Sequence, residues 1–263
     1  MRTRDPKQDS LPGIDSSPVT FLSPSALDRY THCPRLYRFL YVDGMWNRSR
    51  VTATQSFGTT IHAVLRDYFR LPVARRSVDR LLELLRDNWI REGYANREER
   101  EAERERATEA LRAWHARADS TAVPYATEVD LKASWGDIVL KGRLDRVDTD
   151  GEGGLVVVDY KTGRRPVSQE AADSDSALTI YAALAERRLR RPVHRLVLDY
   201  VVAGTAVETE RPPELLAERL EEVLGTAAKL RADTEFVPRT GPWCSSCDLL
   251  GACPDGQREV GPA

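Results

Sequence analysis

The chain reads as an α/β protein: a mixed β-sheet core flanked by helices, with a helical N-terminal part before it and a cysteine-bearing C-terminal segment after it. Three observations carry that expectation. Apolar residues recur at helical spacing in residues 58–69 and 77–89. They alternate with polar ones in residues 126–134 and 138–147, then form the unbroken run Leu155-Val156-Val157-Val158. A helical stretch at 174–188 separates that run from a later apolar strand at 193–203, which lets the two strands lie parallel and makes the sheet mixed.

A chain of 263 residues is long enough for a substantial core, and 41% apolar content marks a soluble globular protein. No apolar run approaches the length of a membrane span, so no membrane partner is expected. Residues 1–20 carry no signal-peptide core and are expected to be a flexible leader on a cytoplasmic protein. The net charge of −2 does not announce a nucleic-acid partner, which would need a local basic groove. The expected divisions are the leader, a helical part at 21–123, a core at 124–232 and the cysteine segment at 233–263.

Taken in order, Ser23 suits a helix N-cap and Pro24 the first helical position. Residues 28–39 read as two short helices, because Pro34 can open the second but cannot continue the first, which leaves Cys33 at the junction. Ile61, Val64, Leu65, Tyr68 and Phe69 form a buried stripe, and His62 lies one residue off it. Residues 97–106, rich in arginine and glutamate, read as a solvated helix that continues through Leu111 and Trp114 and carries no chemistry. Leu178, Tyr181, Ala182 and Leu184 mark the buried face of the 174–188 helix. A short strand at 206–210 and a last amphipathic helix at 213–231 follow.

The chemistry is concentrated around residues 154–161. Side chains alternate along a strand, so Asp159 and Lys161 at its end point the same way. Asp145 and Asp159 lie equally far from Glu152 in the Gly-rich turn 150–154, so a hairpin centred there sets the two acids across from each other. The preceding hairpin, turning at Trp135-Gly136-Asp137, brings Glu128 roughly opposite Asp145. Three carboxylates from three strands can thus meet at one divalent-metal site.

The order Gly58-Thr59-x-x-His62, Glu128, Gly142-x-x-Asp145, Asp159-x-Lys161 and Leu178-Thr179-Ile180-Tyr181 resembles the PD-(D/E)XK nuclease superfamily, in its RecB-like branch. The resemblance implies a restriction-endonuclease-like core and metal-dependent hydrolysis of DNA phosphodiesters. It also implies Asp145, Asp159, His62 and the Tyr160 carbonyl as ligands of Mg²⁺ or Mn²⁺, the imidazole tilting the site toward Mn²⁺. Glu128 would complete the acidic cluster, and Lys161 would orient the attacking water or stabilise the charged phosphorane. Tyr181 would touch Lys161 or a substrate phosphate, or serve as a core aromatic. Ala177 stands where the family usually has Gln, which removes one polar support of Lys161. Arg143, Arg164 and Arg165 flank the site, either as phosphate contacts or as exposed arginines without a partner. The implied substrate is single-stranded DNA degraded from an end, in repair, recombination or CRISPR adaptation. A catalytically silent DNA-binding subunit of a helicase–nuclease complex is the alternative. The chain has no Gly-x-x-x-x-Gly-Lys-[Ser/Thr] motif, so a helicase would be a partner, as would a CRISPR adaptation protein.

Cys244-x-x-Cys247 and Cys253 are crowded in one segment, while Cys33 stands alone. The C-terminal run by itself reads as a metal-ligand set for which zinc is the usual occupant. With Cys33 added, the set resembles the iron–sulfur subset of the RecB-like branch and implies a structural [4Fe–4S] cluster joining the two ends of the chain.

Overall fold

The computed structural model describes residues 20–48 and 51–261. The expected leader lies outside the described residues, apart from Thr20. Six strands form one mixed sheet: β1 (Thr20–Leu22), β2 (Ala126–Trp135), β3 (Ile138–Thr149), β4 (Leu155–Lys161), β5 (Val193–Tyr200) and β6 (Thr205–Thr209). The strands run in the order β1-β3-β4-β5-β6, with β2 also paired to β3. β4 and β5 are parallel and joined through α6 (Gln169–Asp173) and α7 (Ser176–Leu189), as the helical connection requires.

β3 is the spine. Antiparallel β2 occupies one of its edges from Ile138 to Val147, so β1 and β4 must share the other: β1 at Ile138–Leu140 and β4 from Arg146 onward. Between those two partners the edge of β3 is open, and Asp145 sits at the end of that notch.

Helices cover both faces. α1 (Pro24–His32), α7 and α8 (Pro213–Ala232) pack on one face against Leu140, Leu144, Val147, Leu155, Val157 and Leu196. On the other, α3 (Ala53–Arg70), α4 (Val78–Asn88) and α5 (Arg97–Arg117) pack against Val156, Val158, Tyr160 and Val197. With helices on both sides, β4 needs no polar face, which explains its continuous apolar run. α1 begins as its sequence predicts, with the Ser23 hydroxyl accepting from Ala26 N–H at 3.2 Å and Pro24 at the first position. α3 starts earlier than its stripe suggests, because Thr52 and Gln55 form a capping box ahead of Ala53. α5 is solvated at its start, but buries Ala107, Leu111 and Trp114.

Alternation along β3 reverses at the notch. Ile138, Leu140 and Leu144 face the α7 side, and so does Val147, three residues on. β2 reverses in step, since Ala126 shares that side with Val129 and Leu131. The register across the pair is unchanged, but the step that would pair Glu128 with Asp145 is missing from the ladder, and Glu128 has a φ of 49°. A non-glycine residue in that region is strained by about 1 kcal/mol or more and persists only where its surroundings impose it.

The N-terminal helices are tied to the segment after α8. The Tyr30 hydroxyl donates to Asp233 at 2.9 Å, Arg35 Nε donates to the Phe236 carbonyl at 3.0 Å, and the Tyr37 ring stacks on Phe236. α2 (Pro34–Tyr37) opens at Pro34, so Cys33 closes one helix and starts the next, as expected. α9 (Pro254–Val260) ends the described chain beyond Cys253.

Asp199 on β5 is buried and accepts from Trp114 Nε1 at 2.9 Å and from the Arg117 guanidinium, which fixes α5 to the sheet. Asp199→Ala leaves the buried indole N–H without an acceptor and will lower stability by about 2 kcal/mol, read as a shift in the urea-unfolding midpoint.

Candidate active site

The site lies where β4 parts from β3. The β3–β4 ladder runs from Thr149–Leu155 to Arg146–Val158, and the next step of the same register sets Asp145 across from Asp159. The Asp145 carboxylate takes over the pairing there: its Oδ2 accepts the Tyr160 backbone N–H at 2.8 Å, while its Oδ1 lies 3.0 Å from His62 Nδ1. One side chain thereby connects β3, β4 and α3.

Ligand atoms of His62, Glu128 and Asp145 all lie within 4.8 Å of one another, and this is the one such group among the described residues. The structure thus brings Glu128 into the cluster more closely than its distance in sequence implies, through its left-handed backbone. Asp159 stands beside this group. Its Oδ2 is buried and lies 2.7 Å from Lys161 Nζ, forming an ion pair. The two side chains share one side of β4, as alternation predicts.

Electrostatics favour a cation. Burial pushes the Asp159 carboxyl above its usual range, with the Lys161 charge opposing and the Asp145 charge adding to the shift. Burial also works against the His62 imidazolium, but the Asp145 hydrogen bond and the charges of Asp145, Asp159 and Glu128 outweigh it, so its pKa is raised. Burial likewise opposes the Lys161 ammonium, and Asp159 more than offsets that. A buried carboxylate at Asp159, two further carboxylates at Glu128 and Asp145, and the His62 imidazole suit a divalent cation.

Tyr181 lies on α7, and its ring packs so closely on β3 that a Cβ on Gly142 would come within 2.9 Å of Cε1. This is the close approach that requires glycine in Gly142-x-x-Asp145. Burial, with Asp159, Asp145 and Asp175 nearby, holds the Tyr181 phenol protonated, well above its usual range. Arg143 is gripped by Asp130, its cross-strand neighbour, at 2.9 and 3.0 Å, and its Nη1 lies 3.5 Å from Glu128. Arg164 and Arg165 are exposed in the loop after β4. Sequence reading missed Asp130 and Asp175, the N-cap of α7 that accepts from Leu178 N–H. Only strand register and a helix start reveal them.

The four cysteines are unbridged and line one cavity of about 510 Å³ between α1, α2 and the C-terminal segment. Their sulfurs do not form a group within 4.8 Å of one another, unlike the residues of the acidic site. They are nonetheless neighbours: burial pushes the Cys247 thiol up, and Cys33, Cys244 and Cys253 each add to that shift.

A sequence profile described as the PD-(D/E)XK nuclease superfamily matches residues 21–254. The chain belongs to that superfamily. It is a hydrolytic nuclease, a class that uses divalent metals and acts on DNA. No curated protein matches the sequence. Among solved structures, a protein from Eubacterium rectale named "Putative exonuclease" is similar, at 12% identity and a TM-score of 0.51, over 80% of this chain and 79% of that one. That likeness shows the restriction-endonuclease-like fold. The structure of SSO0001 aligns over 94% of this chain and 91% of its own, at 16% identity and a TM-score of 0.43. Among the described residues no helix is long and apolar enough to cross a membrane.

Because the His62 pKa is raised on folding, its contribution to stability is fully present below about pH 6.5 and is lost as pH rises through the folded-state value. In chelator, the melting temperature of wild type will exceed that of His62→Gln most at acid pH, and the gap will shrink as pH rises. Mn²⁺ affinity will run the other way and tighten with pH, because a metal ligand must be the neutral imidazole.

Proposed function

We propose that the protein is an exonuclease of the RecB-like branch, acting on single-stranded DNA from an end in repair, recombination or CRISPR adaptation. The observation that carries the catalytic part is the convergence of His62, Glu128 and Asp145 beside the Asp159–Lys161 pair. Asp145, Asp159, His62 and the Tyr160 carbonyl hold Mg²⁺ or Mn²⁺, and Glu128 completes the acidic cluster. When bound there, such a cation would supply charge neutralisation at the phosphate and acidify a nearby water.

The remaining work falls to the protein. Lys161, fixed by Asp159, donates to the attacking water or to a phosphate oxygen. Tyr181 keeps its proton and so donates to phosphate. Arg143, held by Asp130 and paired with Glu128, brings its positive charge to the edge of the acidic cluster, where it faces the incoming backbone. The Asp159 pair already holds Lys161 in place, which supports catalysis despite Ala177.

Cys33, Cys244, Cys247 and Cys253 hold a [4Fe–4S] cluster of structural role. Joining residue 33 to the C-terminal segment closes a loop of roughly two hundred residues, which restricts the unfolded chain. The gathering of distant Cys33 with Cys244, Cys247 and Cys253 on one cavity of a PD-(D/E)XK chain favours this group over zinc. Helicases and CRISPR adaptation proteins are the partner classes, and the cytoplasm is the compartment.

End-labelled single-stranded DNA with Mn²⁺ or Mg²⁺ will be degraded by wild type and spared in chelator. Asp159→Ala and Lys161→Ala will each lower the rate by at least about a hundredfold, a loss typical of removing a charged transition-state contact. Full activity in Asp159→Ala removes that residue from the site. Cys247→Ala, purified without oxygen, will lack iron and melt at lower temperature, whereas an iron-loaded and equally stable variant contradicts the ligand set.

A further inference from the structure

Two tryptophans are half-exposed on the wall of the cysteine cavity: Trp46 at 45% and Trp243 at 43%. Large indoles are seldom left in water without a partner, and these two are held in place. Arg29 lies over the Trp46 ring, 5.6 Å from its centroid, and His32 packs at 5.4 Å against Trp243. Arg29 and His32 are three residues apart on α1, so one helix face supports both rings.

The charge around them is mostly positive. Arg29, Arg35 and Arg239 line the cavity, against Asp248 among the acids. Arg35 and Arg239 donate to the carbonyls of Phe236 and Thr31, which positions the guanidinium groups and leaves their charge intact. Trp46 is further fixed by the edge of Tyr41, at 4.9 Å. Flat, immobilised aromatic faces interleaved with cations suit a ligand that is aromatic and anionic in alternation, which describes an unpaired nucleic-acid strand.

The cavity also leads to the acids. Gln55, at its edge, and His62 sit on the same face of α3, seven residues and about 11 Å apart along the axis. Between them Thr59 is exposed, and Gly58 keeps the face low where the Thr162 hydroxyl approaches it. A strand leaving the tryptophans reaches the metal site within a few nucleotides.

We propose that Trp46 and Trp243 form a base-stacking platform for single-stranded nucleic acid, with Arg29 and Arg239 as phosphate contacts, feeding the strand to the nuclease site along α3. The proposal rests on the nuclease reading for its direction of travel but not for binding. It places sequence-independent affinity on this wall, remote from the acidic cluster. Duplex DNA, whose bases are stacked and hidden, gains nothing from it.

The test is fluorescence-anisotropy binding of labelled oligothymidylate in chelator to iron-loaded protein, with indole fluorescence recorded in parallel. Wild type will bind with quenching of tryptophan emission, and duplex of equal length will not quench it. Trp46→Ala will weaken single-strand binding about tenfold and Trp46→Phe only slightly, consistent with loss of one stacked base. Arg29→Ala will weaken binding and reduce its salt dependence. Metal-dependent hydrolysis of bis-p-nitrophenyl phosphate, too small to reach the platform, will be unchanged in Trp46→Ala while KM for long single strands rises. Unaltered single-strand affinity in Trp46→Ala, or wild-type binding without quenching, overturns the platform. Where wild type hydrolyses neither substrate but the binding differences persist, the platform stands and the nuclease reading fails.

Discussion

The site depends on one carboxylate. Asp145 replaces a strand-to-strand hydrogen bond with a side-chain bond to Tyr160 N–H, and by doing so lets β4 diverge from β3 while remaining attached to it. Its second oxygen reaches His62 and draws α3 onto the opened edge. The double reversal in β2 and β3 is the backbone expression of the same event. Without it, simple alternation would place Leu144 and Val147 on opposite faces and take one of them out of the core beneath α7. The hydrophobic core therefore enforces the kink, and the kink sets Glu128 at its left-handed φ beside Asp145. Strain of this kind gathers where packing over-determines the backbone, and here the packing runs along both faces of β3.

A second constraint holds the ends of the chain together. Tyr30, Arg35 and Tyr37 grip Asp233 and Phe236, so α1 and α2 are seated on the C-terminal segment by ordinary packing and hydrogen bonds, independently of the cysteines. The cysteine cavity is therefore formed between surfaces already in contact. Its wall abuts the start of α3, the helix that delivers His62, so the two chemical centres share a structural element.

Much of this was legible in the chain because the signals were local. β4 announced itself as an apolar run, and the symmetry of Asp145 and Asp159 about Glu152 gave the hairpin register that the ladder displays. Ser23 and Pro24 marked α1, and Pro34 split it from α2. What stayed hidden depends on distant partners. β1 is three residues long, too short for a period, and exists only because it pairs with β3. The five residues of α6 are likewise too few to show one. The reversal at Glu128 is imposed by two cores, and no propensity of Glu reveals it. Asp199 and Asp130 acquire roles only once Trp114 and Arg143 are set beside them.

Asp145 is thus proposed both to shape the notch and to bind the cation within it. Calorimetric titration of Mn²⁺ into wild type and Asp145→Asn, with thermal unfolding to confirm that both are folded, tests it directly. Wild type will bind Mn²⁺ stoichiometrically, and the folded variant will bind none at comparable concentration. Equal Mn²⁺ affinity in Asp145→Asn contradicts it.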